Sequence, residues 1–129
     1  IVTYLTGNVS QNPQNIFEWL NSLNYFHGHG FSQKALVKAA NKYGVTCNWE
    51  KLDADTMRAT LLSGKPIIAF MGKGTFTSGG HYIVLKGVAS DGKIAVNDPF
   101  SESKSKKTYE PSLILSETRT STPFAVCGI

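Results

Sequence analysis

The chain has 129 residues, a length that suits one compact domain with its own hydrophobic core. Hydrophobic residues make up 41% of it and charged residues 17%, which is typical of a globular protein and excludes a disordered one. The net charge of +4 comes without an arginine-rich stripe, so we expect no nucleic-acid partner. No apolar run approaches the roughly 20 residues of a membrane helix, so we expect no membrane segment. We predict a single domain over residues 1–129.

The first half of the chain has the apolar spacing and the capping residues of helices. Residues 1–7 and 12–20 each follow a helical pattern. Ser32 and Asp53 are placed to cap two further helices, each of which a glycine ends. Four helices are therefore expected before the middle of the chain.

The second half is rich in the branched and aromatic residues that favour strands. We predict five strands in the whole chain, at 45–49, 67–71, 82–88, 93–97 and 124–127. The run 67–71 lacks polar alternation, which is typical of a buried central strand. Residues 101–107 are predicted as a solvated polar loop and 111–116 as a helical turn. This order indicates an α+β fold, with N-terminal helices packed on a C-terminal antiparallel sheet.

A predicted hairpin around Asp91 and Gly92 relates two titratable residues. If Gly87 faces Gly92, His81 lies directly opposite Asp98, about 5 Å away. If Asp91 and Gly92 form a tight two-residue loop, His81 and Asp98 share a face but are offset along it. We predict the first register. A slip of one residue from it would turn one side chain to the other face, so this pairing is testable.

A carboxylate beside one ring nitrogen of a histidine holds the ring in one tautomer and improves the other nitrogen as a proton acceptor. His81 also follows Gly79 and Gly80, which lack side chains and so let a substrate backbone come close. This pattern predicts a general base, His81, oriented by Asp98 at the edge of a cleft. The alternative is a hydrogen-bonded core histidine, with Asp98 starting a turn at Pro99. Spacing alone leaves both open.

The segments 79–87 and 92–99 resemble the bacteriocin-leader-peptidase-like (double-glycine peptidase-like) cysteine peptidases of the papain superfamily. The shared signature is a strand that opens with glycine, histidine and an aromatic residue, a short turn, and a strand that ends Asn-Asp-Pro. Other segments that follow the pattern are 30–32, 43–45 and 62–68. The resemblance implies a papain-like cysteine peptidase fold. It also implies that His81 is the catalytic base, that Asp98 orients it, and that peptide or amide bonds are hydrolysed through a thioester.

The nucleophile of that family is a cysteine in a Cys-Gly-Pro motif at the start of the first helix, and this motif is not in the chain. Residues 1–7 look like the later turns of that helix. The resemblance therefore implies a domain truncated at its N-terminus, with the nucleophile a few residues upstream of Ile1. Cys47 and Cys127 lie in predicted strands, without the helix N-terminus or the cation that activates a thiol. We interpret both as buried structural thiols and leave their pairing open.

His27 and His29 have a spacing that offers two imidazoles to zinc, but no third and fourth ligands are evident. A polar aromatic loop is the favoured interpretation, so we predict no metal and no cofactor. By the resemblance, Gly30 lines the cleft and His29 contacts the substrate. Gly79 and Gly80 are predicted to bind the substrate because they lack side chains.

The resemblance implies a peptide substrate, either a stem peptide of bacterial peptidoglycan or a double-glycine leader. We expect an extracellular or cell-wall-associated protein of bacterial or phage origin, with additional wall-binding domains in the full-length polypeptide. The alternative class is a non-catalytic papain-like module that binds a peptide or the wall. A third arrangement is a separate fragment that supplies the cysteine. The residues encoded before Ile1 discriminate between these classes.

Overall fold

The computed structural model describes residues 33–98 and 101–128. The helices of this part are α1 (Gln33–Lys42), α2 (Ala54–Leu62), α3 (Glu102–Ser105) and α4 (Pro111–Ser116). Its strands are β1 (Thr46–Glu50), β2 (Ile67–Met71), β3 (His81–Val88), β4 (Ile94–Asn97), β5 (Thr108–Tyr109) and β6 (Phe124–Gly128). The predicted helices at 1–7 and 12–20 lie outside the described residues.

The strands form one sheet in the order β1-β6-β2-β3-β4-β5. β2 pairs antiparallel with β3 and β6, and β4 pairs antiparallel with β3 and β5. The predicted α+β class with an antiparallel sheet is therefore confirmed. The described residues group into two compact units, one holding 33–47 with 127–128 and the other holding 48–126.

The predicted cap at Asp53 is confirmed, whereas Ser32 lies outside the described residues. Asp53 precedes α2 and accepts a hydrogen bond from the Thr56 backbone N–H at 2.7 Å. This bond favours the ionised carboxylate and lowers the pKa of Asp53. Gly44 and Gly64 follow α1 and α2 with φ angles of 81° and 90°, the left-handed conformation that glycine adopts most readily at a helix end. No helix in the described part of the chain is long and apolar enough to cross a membrane.

The hydrophobic core of the larger unit lies where α2 and α4 meet the sheet. β2 runs between β6 and β3, as predicted for a central strand. Its residues Ile67, Ala69 and Met71 are fully buried, whereas Ile68 and Phe70 are half-buried, so one face of the strand is more enclosed than the other. Core side chains from the other elements include Met57, Leu61, Ile83, Leu85, Val96, Ile114 and Phe124.

The loop of the β3–β4 hairpin is longer than a two-residue turn. It spans Ala89–Lys93 and is closed by the Ala89 N–H, which donates to the Lys93 carbonyl at 2.8 Å. Gly92 has a φ of 85° and donates its N–H to the Ala89 carbonyl at 2.9 Å. Arg58 of α2 donates from Nε to the Gly92 carbonyl at 3.0 Å. The helix therefore anchors the loop.

The pairing within this hairpin changes at a bulge. Val88 pairs with Ile94 beside the loop, whereas Leu85 pairs with Val96 farther along. Three residues of β3 thus span the distance of two in β4, with Lys86 at the irregularity. A bulge of this kind shifts the register of everything beyond it.

The predicted register is therefore wrong. Gly87 faces Ala95, and continuing the observed pairing aligns Asp98 with Ile83, two residues away from His81. The shared face was nevertheless predicted correctly, because an offset of two residues leaves both side chains on the same side of a sheet.

The predicted polar loop at 101–107 is also corrected, because α3 forms inside it. The Ser101 hydroxyl accepts a hydrogen bond from the Lys104 N–H at 3.1 Å, which caps the helix at its start. The local sequence contained this signal, a serine followed by the acidic Glu102 in the first turn.

Candidate active site

His81 and Asp98 form a buried hydrogen-bonded pair at the open end of the hairpin. Nε2 of His81 and Oδ1 of Asp98 are 2.6 Å apart, and the two side chains are only 5% and 1% exposed. Because a carboxylate only accepts hydrogen bonds, Nε2 is the donor, which makes Nδ1 the basic nitrogen of the ring. The structure thus brings together the two residues predicted to share a site, while their catalytic role remains a prediction.

His81 is held in place as the first residue of β3. Its backbone pairs with Met71 of β2, and the exposed glycines Gly79 and Gly80 lead into it. The carbonyl of Gly79 accepts a hydrogen bond from Arg119 Nη1 at 2.8 Å. A side chain on Gly80 would meet that same guanidinium, with its Cβ only 2.8 Å from Nη1. A side chain at position 80 would therefore displace the Arg119 guanidinium from its present place.

Glu117 holds the same loop nearer to β2. Its Oε1 accepts from the Thr75 N–H at 2.5 Å and its Oε2 accepts from the Thr75 hydroxyl at 3.0 Å. The Glu117 carbonyl accepts from Gly72 N–H at 2.6 Å, and Arg119 N–H donates to the Phe70 carbonyl at 3.0 Å. One short segment after α4 therefore fixes the whole loop that precedes His81.

Asp98 is fixed by the turn that follows β4. Its N–H donates to the Ser105 hydroxyl at 2.7 Å, and its carbonyl accepts from the Ser101 N–H at 3.1 Å. Asp98 therefore does start a turn, as the alternative interpretation predicts, but its carboxylate points to His81. Tyr109 lies nearby, and its pKa is raised first by burial and then by the negative charge of Asp98.

Aromatic side chains line the opposite face of the strands that carry His81 and its neighbours. Tyr82 stacks on Phe70, with ring centroids 4.3 Å apart, and lies 6.1 Å from the Trp49 ring. Burial raises the pKa of Tyr82 to about 12, an effect that the positive charge of Arg119 partly offsets. The Arg119 guanidinium lies 5.8 Å from the centre of the Phe70 ring.

The two cysteines form a disulfide. Cys47 in β1 and Cys127 in β6 are bonded across a sequence separation of 80 residues, and both are buried. Their interpretation as structural thiols is therefore corrected, although their burial was predicted. These are the only cysteines of the sequence, so the 129 residues contain no thiol that can act as a nucleophile.

The remaining predicted site residues fall into two groups. Gly79 and Gly80 lie directly before His81 and are exposed, but their contact with a substrate stays a prediction. His29 and Gly30, predicted to lie at the cleft, lie outside the described residues, as does His27.

Sequence reasoning missed three residues that support the pair. Ser105 had a local signal, since it stands four residues after Ser101 in a serine-rich turn. Glu117 and Arg119 had none, because their contacts with Thr75 and Gly79 span 42 and 40 residues.

A histidine that opens one strand and a carboxylate that follows the next, joined on an antiparallel sheet, is the arrangement expected of a papain-like cysteine peptidase fold. The fold is similar to the peptidase domain of Streptococcus ComA, described as a bi-functional ABC transporter involved in a quorum sensing pathway. The TM-score is 0.58 at 24% sequence identity, over 84% of this chain and 74% of that one. At this identity the likeness shows the fold.

The Peptidase_C39 like family matches residues 2–120. The chain therefore belongs to the Peptidase_C39 like family, which confirms the resemblance seen in the sequence. No curated protein matches the chain.

Proposed function

We propose that the chain is the base-carrying part of a cysteine peptidase that hydrolyses peptide or amide bonds. His81 is its general base, and Asp98 orients that base. The observation that carries the proposal is the buried contact of 2.6 Å between His81 Nε2 and Asp98 Oδ1. Membership of a peptidase-like family supports the reaction class.

In this mechanism Asp98 holds the Nε2–H of His81, and Nδ1 takes the proton from a cysteine thiol. The thiolate attacks the carbonyl carbon of the substrate. The C–N bond then breaks, leaving a thioester, and the imidazolium returns its proton to the departing amine. Water, deprotonated by the same nitrogen, hydrolyses the thioester and releases the acid product and the thiol.

The nucleophile has to come from outside the 129 residues, because the disulfide uses both cysteines of the chain. The sequence resemblance predicts its position, a few residues upstream of Ile1. Because Cys47 and Cys127 are joined in the disulfide, neither competes with that upstream cysteine as a nucleophile.

We propose an extracellular or wall-associated protein of bacterial or phage origin, acting on peptidoglycan stem peptides. The Cys47–Cys127 disulfide supports an oxidising compartment, where such bonds persist. The net charge of +4 favours approach to an anionic wall. A double-glycine leader peptide is the alternative substrate, and the likeness to the peptidase domain of a transporter favours it.

A second candidate function is a non-catalytic module that binds a peptide or the wall. The observation that favours it is the absence of a thiol from the chain, since a histidine and a carboxylate cannot form a thioester on their own. In such a module the His81–Asp98 pair is a buried polar contact that stabilises the fold.

The experiment that separates the two is iodoacetamide labelling of the polypeptide as encoded, including the residues before Ile1, with mapping of the labelled sites. The variants are His81→Ala and Asp98→Ala, and the matched control is Asp91→Ala, which removes an exposed carboxylate in the hairpin loop. We expect a cysteine upstream of Ile1 to label fastest, and to label more slowly in the two site variants alone. The binding module is established if the upstream segment has no cysteine, or if the labelling rate of that cysteine is the same in His81→Ala as in the unmodified protein.

A further inference from the structure

The hydroxyl of Ser105 makes two short hydrogen bonds around the end of β4. It accepts from the Asp98 N–H at 2.7 Å and donates to the Ser101 carbonyl at 2.8 Å. The same oxygen lies 3.2 Å from the Asp98 carbonyl and 3.5 Å from Asn97 Oδ1. Because a hydroxyl has one proton to donate, the two shortest contacts define its orientation.

We propose that Ser105 is a positioning residue of the site, which fixes the backbone of Asp98 and thereby aims its carboxylate at His81. This proposal rests on the proposed function of the His81–Asp98 pair. Ser105 touches neither the imidazole nor a substrate, so it acts only through Asp98.

Asp98 needs such a support because it lies beyond the last residue of β4. Its carbonyl is bound by the Ser101 N–H and its N–H by the Ser105 hydroxyl, so both of its backbone polar groups are held by one turn. The direction of a short side chain follows from the backbone that carries it, since only two torsions separate Cα from the carboxylate oxygens. Release of the N–H therefore moves the carboxylate relative to the ring.

The role of Ser105 differs from ordinary capping of α3. Ser101 already caps the start of that helix, through the Lys104 N–H. Ser105 is the last helical residue and bends back to the carbonyl four residues earlier, which leaves its oxygen lone pairs for Asp98. In this serine-rich turn, Ser101 thus caps the helix, whereas Ser105 binds the backbone of Asp98.

Ser116 provides a matched control elsewhere in the chain. It is likewise the last residue of a helix, α4, and its hydroxyl donates back to the Leu113 carbonyl at 2.8 Å. Ser116→Ala removes the same kind of bond without touching Asp98. Any effect common to Ser105→Ala and Ser116→Ala therefore measures helix stability alone.

The test compares the unmodified protein with Ser105→Ala, Ser105→Thr and Ser116→Ala by the ring ¹⁵N chemical shifts of His81. These shifts report which ring nitrogen carries the proton, and they need no nucleophile or substrate. We expect the Nε2–H signature to weaken in Ser105→Ala toward a mixture of tautomers, and to persist in Ser105→Thr and Ser116→Ala. In the active full-length polypeptide we expect Ser105→Ala to lower kcat about tenfold, a partial loss of the general-base contribution, with KM unchanged.

Unchanged His81 shifts in a folded Ser105→Ala protein would overturn the proposal. If Ser105→Ala does not fold, loss of the signature in Ser105→Thr, which keeps the hydroxyl, would overturn it too. Failure of the proposed function is seen separately: the unmodified polypeptide would then cleave no substrate, while the shifts of His81 still respond to Ser105.

Discussion

The loop that leads into His81 and the turn that follows Asp98 are held by different kinds of contact. Residues 72–80 are anchored by Glu117 and Arg119, which stand 42 and 40 positions away from their partners. Asp98 is anchored within its own turn, by a hydroxyl seven positions away. The histidine therefore depends on the completed fold, whereas the carboxylate depends on local sequence.

This difference has a consequence for folding order. Contacts between residues close in sequence cost little loop entropy, so the turn around Asp98 is free to form early. The loop before His81 gains its anchors only after the segment behind α4 reaches β2. The variants below act on both supports, on the contact between His81 and Asp98, or on the long-range support alone.

The largest effect is expected from the disulfide, because residues 48–126, which contain both supports, lie between Cys47 and Cys127. Replacing both cysteines by alanine removes the constraint on an unfolded loop of this length, worth about 4 kcal/mol in the chain-entropy treatment. Urea unfolding of the double variant, compared with the unmodified protein with and without reductant, measures the change. If the free energy of unfolding of the unmodified protein were the same with and without reductant, the pairing of Cys47 with Cys127 would be contradicted.

The next largest effect on stability is expected at the contact between His81 and Asp98, where the two supported segments meet. Asp98→Ala leaves the buried His81 ring without its acceptor, so we expect the free energy of unfolding to fall by about 3 kcal/mol. A double-mutant cycle with His81→Ala isolates the coupling between the two side chains, which we expect to be about 2 kcal/mol. The control, Asp91→Ala in the exposed hairpin loop, removes one exposed hydrogen bond from the Lys93 N–H and should cost about 1 kcal/mol or less. A coupling near zero would show that the two residues are neighbours without being partners.

A smaller effect is expected from the long-range support alone. Glu117→Ala removes both side-chain hydrogen bonds to Thr75 and should cost about 1–2 kcal/mol. Amide hydrogen exchange should quicken at 72–80 and stay unchanged at 101–105. The control is Glu110→Ala, since Glu110 precedes α4 without a side-chain capping bond. Faster exchange in both segments would mean that the two supports are not independent.

The smallest effect is expected on the pKa of Tyr82 when Arg119 is replaced. Burial raises the pKa of Tyr82 to about 12, while the charge of Arg119 lowers it. Because the neutral phenol is favoured in the folded protein, its contribution to stability is present below the unfolded value of 10.0 and is lost as the pH rises through about 12. Arg119→Met should raise the pKa of Tyr82 further, measured as tyrosinate absorbance after subtraction of the Tyr82→Phe titration. A lower pKa of Tyr82 in this variant would show that the Arg119 guanidinium does not lie close to the Tyr82 phenol.

The sequence predicted the features of the fold that depend on local chemistry. Asp53 caps α2, glycines end both long helices, and the apolar run at 67–71 is the central strand, because each of these rests on residues within one turn or one strand. The bulge at Lys86 was not predicted, although Lys86 interrupts the apolar run of β3 and Gly87 follows it, since neither residue by itself distinguishes a bulge from regular pairing. The register of the hairpin failed for that reason.

In the candidate site, too, the features that depend on local sequence were predicted and those that depend on distant contacts were not. The pairing of His81 with Asp98 follows from strand alternation, which survives a slip of two residues. The disulfide depends on the place of β1 beside β6, which the order of strands along the chain does not reveal. The anchors at Glu117 and Arg119 come from a segment with no periodic pattern, so only the folded structure shows them.

The Cys47–Cys127 bond also determines what proteolysis does to this molecule. A polypeptide nicked once at any peptide bond between the two cysteines, for example in the exposed hairpin loop, remains a single covalent species of unchanged electrophoretic size until it is reduced. For a protein proposed to cleave peptides, damage by its own activity in that stretch is silent on a non-reducing gel, and the two severed pieces stay tethered at high effective concentration.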